Sequence, residues 1–536
     1  MYLLGLDIGT TNCKAILFDV EKNKEIVYSR KTKTHYTKQG YVFFEPTEIW
    51  DSVCGLIQEV IAKASHPLQV KGLSIASMAE TGIPLDEKGK PIYHAIAWFD
   101  PRTKSQTQWW KNNFDPYKLY KITGLPLDYI FSVNKIMWIR ENEPSIYKRI
   151  RKWLCIPDFI IYRLTGEYVT DYSIASRTMA LDVRNGAWSS EILNVAKIDP
   201  AVMPPISPSG KIVGKVSSRA SSETGLGRNT LVVTGGHDHL CGALAAGVYE
   251  EGQVLDSIGT SETILAVIKE PALNKELFNF NLLCGCHVAK NRYYIAGGMP
   301  SAGLMLDWCK NEFTSEKDKT KEEIYQWLTE KAEIIETGSN GLFFLPHFRG
   351  SSTLYRDPAS RGAFIGLREF HQKAHIVRSV IEGLCYESLS LIQVLESALG
   401  WKFSDLTALC KNDLWLKIKA DVTGKTLRIP PNREPTALGA ALLAGIGIGV
   451  YKNEVDAFKK IDQKFKKIYP NPKFSQRYQL LYREIYKAIY PVLRSIHKKI
   501  DQAYSDKNTY CHGDQSGQVR GRIEDRRKLH AKTFSS

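Results

Sequence analysis

The chain has 536 residues, 43% of them hydrophobic and 24% charged, with a formal net charge of +15. That length predicts two or three domains, the composition is ordinary for a globular protein, and no apolar run approaches the ~20 residues of a membrane span. The positive charge is uneven: residues 451–536 carry 20 Lys and Arg against 9 Asp and Glu, which reads as a solvated helix and a disordered basic end rather than a nucleic-acid or membrane surface. Ten scattered cysteines make no disulfide framework. The first strand begins within two residues of the start, leaving no room for a signal peptide, so a reducing, cytoplasmic setting is expected.

In chain order, residues 2–8 and 14–20 predict a β-hairpin. Residues 47–64 have helical apolar spacing (Ile49, Trp50, Val53, Ile57, Val60, Ile61), and 70–76 read as a buried strand. Short strands flank the turn Asp86–Lys90, and 135–167 read as mostly helical. A strand over 230–234 ends in Gly235-Gly236, and 241–248 continue as a small-residue helix. The second half restarts with strand, glycine turn and strand at 253–267, followed by strands near 292–296 and 341–345. Helices are expected over 374–398, 435–450 and 476–500, with disorder beyond Ser505.

One turn appears twice. Leu6-Asp7-Ile8-Gly9-Thr10-Thr11 is echoed by Leu255-Asp256-Ser257-Ile258-Gly259-Thr260-Ser261, each after one strand and before another. Glycine allows close backbone approach, and the N–H groups and hydroxyls that follow form an anion-binding concavity. Two such hairpins imply a clamp on a polyphosphate, hence a nucleotide-dependent phosphotransferase. They also imply two related α/β domains facing a central cleft: residues 1–249, residues 250–500, and a basic tail over 501–536.

Asp7, at a strand end beside the first turn, suits a Mg²⁺ bridging phosphates, against the plainer reading of a turn cap. Lys14 can reach a phosphate as a point charge or be solvated. Gly235-Gly236-His237-Asp238-His239 lies where a strand gives way to a helix, the usual place for reacting groups in α/β proteins. Asp238 is the candidate general base for an alcohol acceptor. A metal site at His237-Asp238-His239 is disfavoured, because adjacent strand residues point to opposite faces. Met78-Ala79-Glu80 and Trp98-Phe99-Asp100-Pro101-Arg102 offer a carboxylate and an indole for a sugar. The alternative makes Trp98 core and Asp100–Arg102 a local ion pair. Cys284-Gly285-Cys286-His287 reads as strand and turn, not zinc.

These blocks resemble the FGGY carbohydrate kinase family from residue 2 to about 500. The similarity extends to Ile96–Thr103, Ser257–Glu262, Gly362–Leu367, His375–Gly383 and Ala437–Ala441. The resemblance implies two actin-like (ribonuclease-H-like) domains closing on ATP, Mg²⁺ and a sugar or polyol, with no nucleic-acid or membrane partner; a homodimer is left open. It implies Asp238 as base and Asp7 as the metal-side carboxylate. It sets Thr10, Thr11, Lys14, Gly259 and Thr260 around the phosphates, and Gly303, Asp307 and Asn412 on the nucleotide side. It sets Met78, Ala79, Glu80, Trp98, Asp100 and His237 around the sugar. Ala79 stands where glycerol-type members carry arginine, which argues against glycerol. One departure is marked. The family's glycine-rich adenine turn is replaced by Leu406-Thr407-Ala408-Leu409-Cys410-Lys411-Asn412-Asp413, without glycine and shorter. That leaves a non-catalytic sugar-binding member as the alternative to an ATP-dependent kinase. An ATPase without a sugar acceptor stands as a third reading.

Overall fold

The computed structural model describes residues 1–64, 70–313, 321–351, 353–431, 434–461 and 463–505. Of the basic tail, 506–536 lie outside the described residues; 501–505 finish a helix.

In the first half run β1 (Tyr2–Ile8), β2 (Asn12–Asp19), β3 (Lys24–Lys31), α1 (Pro46–Ile61), β4 (Val70–Ser77), β5 (Ile212–Lys215), β6 (Leu231–His237) and α2 (Asp238–Ala245). The strands form one sheet in the order β5-β6-β4-β1-β2-β3. β1 pairs antiparallel with β2 and parallel with β4, and β4 parallel with β6. Every residue of β1 is buried because both faces of the strand are covered. Leu4, Leu6 and Ile8 join the apolar stripe of α1, whereas Leu3 turns to the opposite side.

The second half contributes β7 (Val254–Ile258), β8 (Glu262–Ile268), β9 (Leu283–Cys286), β10 (Tyr293–Met299), α3 (Gly303–Phe313), α4 (Lys373–Leu399), β11 (Asp405–Leu409), α5 (Asp413–Thr423), β12 (Thr426–Ile429), α6 (Pro435–Gly447), β13 (Lys466–Ile468), α7 (Pro472–Leu481) and α8 (Lys487–Ser505). Its sheet runs β9-β10-β8-β7-β11-β12-β13. The central β10-β8-β7-β11-β12 repeats the order and the pairing directions of β3-β2-β1-β4-β6. The duplicated glycine turn thus belongs to a duplicated sheet.

The two halves interlock through α6. This helix of small residues lies on the first sheet, and a Cβ at Gly5 of β1 would sit 1.9 Å from the Ala437 carbonyl oxygen. Gly439, on the same helix, meets the Cys241 carbonyl of α2 as closely. Only glycine at each contact permits backbone to touch backbone. Leu3, Ile16 and Phe18 therefore share one apolar cluster with Leu255, Leu265 and Ala440–Ala444.

Residues 135–167 are mostly helix, as expected, in Ser132–Asn142, Pro144–Tyr147 and Ile156–Thr165, but Lys152–Cys155 form an unexpected strand paired with Gly82–Leu85. Its four residues are too few for periodicity to separate from the flanking helices. The last helix begins at Pro472 and reaches Ser505 through a π-helical stretch at Tyr482–Tyr486. No helix among the described residues is long and apolar enough to cross a membrane.

Candidate active site

Three parallel neighbours, β1, β4 and β6, end level with one another. Ile8 is opposite Ser77, and Ser77 is opposite His237. Asp7, Met78 and Asp238 therefore emerge side by side at the carboxyl edge of the sheet, where α/β sheets place their ligands.

Asp7 is 9% exposed. Burial, then the charge of Asp238, pushes its carboxyl up to about 8; Lys14 opposes the shift and Glu434 adds to it. The Lys14 ammonium does not stand alone beside the turn: it is ion-paired with Glu434, which comes from the loop before α6, 420 residues away. Asp238 and Glu434 thus both act on the Asp7 carboxyl, and Lys14 only partly offsets them. That surplus negative charge, all on oxygen, fits a Mg²⁺ ion.

Asp238 opens α2 and is partly exposed. Its Oδ1 accepts from the His239 backbone N–H at 2.7 Å, as suits a carboxylate at a helix N-terminus. His237 Nε2 is 3.2 Å and His239 Nε2 4.0 Å from the same oxygen. The expectation that these three side chains diverge is wrong. Strand alternation ends at His237 and helical geometry begins at Asp238, so the donor atoms of all three gather within 4.8 Å. Burial, followed by the charges of His239 and Arg177, holds His237 well below the ordinary imidazole range. Its backbone N–H donates to Ser173 Oγ at 2.9 Å.

Beside this edge Met78, Ala79 and Glu80 are buried. Glu80 has φ 61°, a left-handed conformation uncommon for a side-chain-bearing residue. Its carbonyl accepts from Ser132 Oγ (3.0 Å) and Lys135 Nζ (2.8 Å), and its carboxylate from Arg177 Nε (2.6 Å). Such a constrained backbone is typical of a functional site. Trp98 is partly buried, and its indole N–H donates to Thr10 Oγ1 at 2.9 Å. Asp100 is fully buried; it accepts from Arg102 Nε (2.8 Å) and Nη2 (3.0 Å) and from the Val42 backbone N–H. Here the local ion pair is what the structure displays. Asp100 fixes Arg102, whose guanidinium stacks over Tyr41 and Trp138.

In each turn the glycine N–H closes the loop, although the first turn is one residue longer than the second. Gly9 N–H donates to the Asn12 carbonyl (3.0 Å), and Gly259 N–H to that of Ser261 (2.8 Å). Thr11 is exposed, with its carbonyl held by Thr32 N–H at 2.9 Å. The start of α3 is stapled to the second turn: Gly303 N–H donates to Gly259 O (3.0 Å) and Ala302 N–H to Thr260 O (2.8 Å). A Cβ at Gly303 would fall 2.5 Å from the Gly259 oxygen. Asp307 follows one turn later on α3, partly buried. Behind the turn, fully buried Lys419 of α5 donates to Asp256 (2.6 Å) and Glu262 (2.8 Å). Asn412 caps α5, its Oδ1 accepting from Trp415 N–H at 2.9 Å, while its Nδ2 donates to Thr329 (3.2 Å). Strand β11 passes to that cap through Cys410 and Lys411 alone. In the sheet Leu409 is opposite Ser257, and it packs against the cluster that contains α2. The second turn and the helix that begins with Asp238 are thereby joined.

Sequence reasoning missed Arg177, Lys135, Ser132 and Glu434. Each acts on a partner far along the chain, and nothing local sets it apart. The nearest thing to a signal is Arg177 itself, a lone cation amid small and apolar residues.

Models of the FGGY family of carbohydrate kinases match both halves, the N-terminal domain over residues 2–245 and the C-terminal domain over 255–448. The chain is 30% identical over 500 residues to xylulose kinase of Staphylococcus xylosus, covering 91% of this chain and 99% of that one. It is 31% identical over 478 residues to a glycerol kinase of Saccharolobus islandicus, covering 87% and 92%. Its fold superposes on gluconate kinase from Lactobacillus acidophilus with a TM-score of 0.85 at 25% identity, over 93% of this chain and 99% of that one. With its paired sheets, the fold is the two-domain actin-like ATPase fold of such kinases. The chain belongs to the FGGY family of carbohydrate kinases and is itself a carbohydrate kinase.

Proposed function

We propose that the protein transfers the γ-phosphoryl group of ATP to a hydroxyl of a sugar, sugar acid or polyol, with Asp238 as general base. The observation carrying this reading is the alignment of Asp7, Met78 and Asp238 at the ends of three adjacent strands, with the charge of Asp238 felt at Asp7. Asp238 takes the proton of the acceptor hydroxyl as that oxygen bonds to phosphorus and the bond to the ADP oxygen breaks. Mg²⁺, held beside Asp7, neutralises charge on the phosphates when bound. Thr10, Thr11, Gly259 and Thr260 orient the phosphates, and Gly303 keeps the second turn in place. Asp307 and Asn412 face the nucleotide. Met78, Ala79, Trp98 and His237 wall the acceptor, while Glu80 shapes that wall through Arg177. Lys14 contributes as part of its pair with Glu434, and Asp100 contributes through Arg102. Residues 1–249 form the acceptor-side domain and 250–500 the nucleotide-side domain. Relatives named xylulose, glycerol and gluconate kinase define the acceptor classes to test.

The experiment is a kinase assay over ketoses, polyols and aldonates with several nucleotides, in the wild type and Asp238→Asn. Sugar-stimulated ADP formation that falls about 10²- to 10⁴-fold in the variant supports the reading. The short passage from β11 to α5, where the family has its adenine turn, favours one second reading: a sugar-binding member without turnover. Sugar binding with no ADP formed in either protein would establish it.

A further inference from the structure

We propose that His237, Asp238 and His239 form a binding site for a Zn²⁺-type transition-metal ion at the acceptor end of the cleft, and that its occupancy blocks phosphoryl transfer. Among the described residues this is the one group of three or more His, Cys, Asp or Glu side chains gathered closely enough to hold a metal ion. Its donor atoms lie within 4.8 Å of one another, with His237 and His239 Nε2 at 3.2 and 4.0 Å from Asp238 Oδ1. A tetrahedral zinc with ~2.0–2.1 Å bonds holds neighbouring donors roughly 3.3 Å apart, so rotamer adjustments that shorten the separations by at most about 1.5 Å complete the triangle. The two rings approach each other to 5.2 Å between centroids. Among the described residues His237 Nδ1 is buried without a hydrogen-bond partner, so no hydrogen bond at that nitrogen fixes the ring. His239 and Asp238 remain partly exposed, which leaves a fourth position for water.

This site shares the Asp238 carboxylate with the surroundings of Asp7 but differs in its other donors. Two imidazoles and a carboxylate select Zn²⁺, Co²⁺ or Ni²⁺, whereas oxygen-only surroundings suit Mg²⁺. A bound ion would occupy the oxygen that accepts the substrate proton. The inhibitory consequence rests on Asp238 being the base; the binding does not.

The test uses the full chain and reads binding without turnover. Co²⁺ titration should develop the visible d–d bands of tetrahedral coordination at one ion per chain, bleached by Zn²⁺. Calorimetry should show His239→Gln and His239→Asn each weakening Zn²⁺ binding at least about tenfold. A variant with both His371 and His375 replaced by glutamine, a partly exposed pair on a different segment, should keep it. Absence of the bands, or equal Zn²⁺ affinity in wild type and both His239 variants, overturns the site. Zn²⁺ should also inhibit the kinase at saturating Mg–ATP, in competition with the sugar. Zn²⁺ bound here with an undiminished rate overturns the inhibitory role. Because an active Asp238→Asn protein would refute the base assignment while leaving the Co²⁺ and calorimetric results standing, the two failures are distinguishable.

Discussion

The indole N–H of Trp98 donates to the hydroxyl of Thr10 at 2.9 Å. Trp98 thus orients a hydroxyl of the first glycine turn, and the Thr10 proton is directed at Met78 Sδ, 3.9 Å away. Trp98 and the first glycine turn are one hydrogen-bonded unit, although 88 residues separate them.

Trp98→Phe keeps an aromatic wall and removes that bond. One hydrogen bond is worth ~0.5–1.5 kcal/mol, so kcat/KM should fall about 3- to 10-fold. Steady-state kinetics with an accepted sugar checks this, and an unchanged kcat/KM would show that the bond does not order the turn.

Gly303→Ala pushes a methyl group toward the Gly259 carbonyl, 2.5 Å from the ideal Cβ. The backbone must move, and the staple between α3 and the second turn loosens. Displacing positioning groups by about 1 Å costs up to ~10²-fold in rate. The expected loss in kcat/KM for nucleotide is therefore about 10- to 100-fold, with a smaller change in the sugar KM.

Arg177→Met strands the Glu80 carboxylate, which is 4% exposed. Breaking one partner of a buried ion pair costs ~3–5 kcal/mol. Denaturant unfolding should show this loss, and Glu80→Gln combined with Arg177→Met should recover part of it. Full stability in the single variant would mean that the pair adds nothing to the fold.

His287 is 4% exposed and its Nδ1 accepts from the Ala289 N–H at 3.0 Å. Burial, then the charge of Arg292, lowers its pKa from 6.5 to about 3. The unfolded chain takes up the proton near 6.5 and the folded chain resists until about 3. Stability is therefore intact above the upper value and falls as pH drops through that window. His287→Gln removes this proton while keeping an acceptor for Ala289. Between pH 7 and 5, wild type should lose roughly 1–2 kcal/mol more than the variant, measured by unfolding at each pH.

Much of the architecture was written in local patterns. β1 and β2, the long helix ending at Leu399, the small-residue helix after Pro435 and both glycine turns are visible because apolar spacing and glycine act over a few residues. Asp7, Met78 and Asp238 stood out for a similar reason: each lies at the end of a recognisable buried strand. The convergence of His237 and His239 on Asp238 was misjudged, since it depends on where strand gives way to helix within one residue.

Partner choice followed a different rule. Glu80 with Arg177, Lys14 with Glu434, and Lys419 with Asp256 and Glu262 are separated by 97, 420, 163 and 157 residues. A lone charged side chain carries no periodicity that names its counterpart; folding selects the pair because a buried charge without one is too costly. The same holds for α6, whose alanines and glycines announce close packing but not that the surface beneath them is the first sheet. Local sequence thus specified the two glycine turns and the strand-end carboxylates, whereas chain closure over hundreds of residues assigned the charges and surfaces that hold them in register.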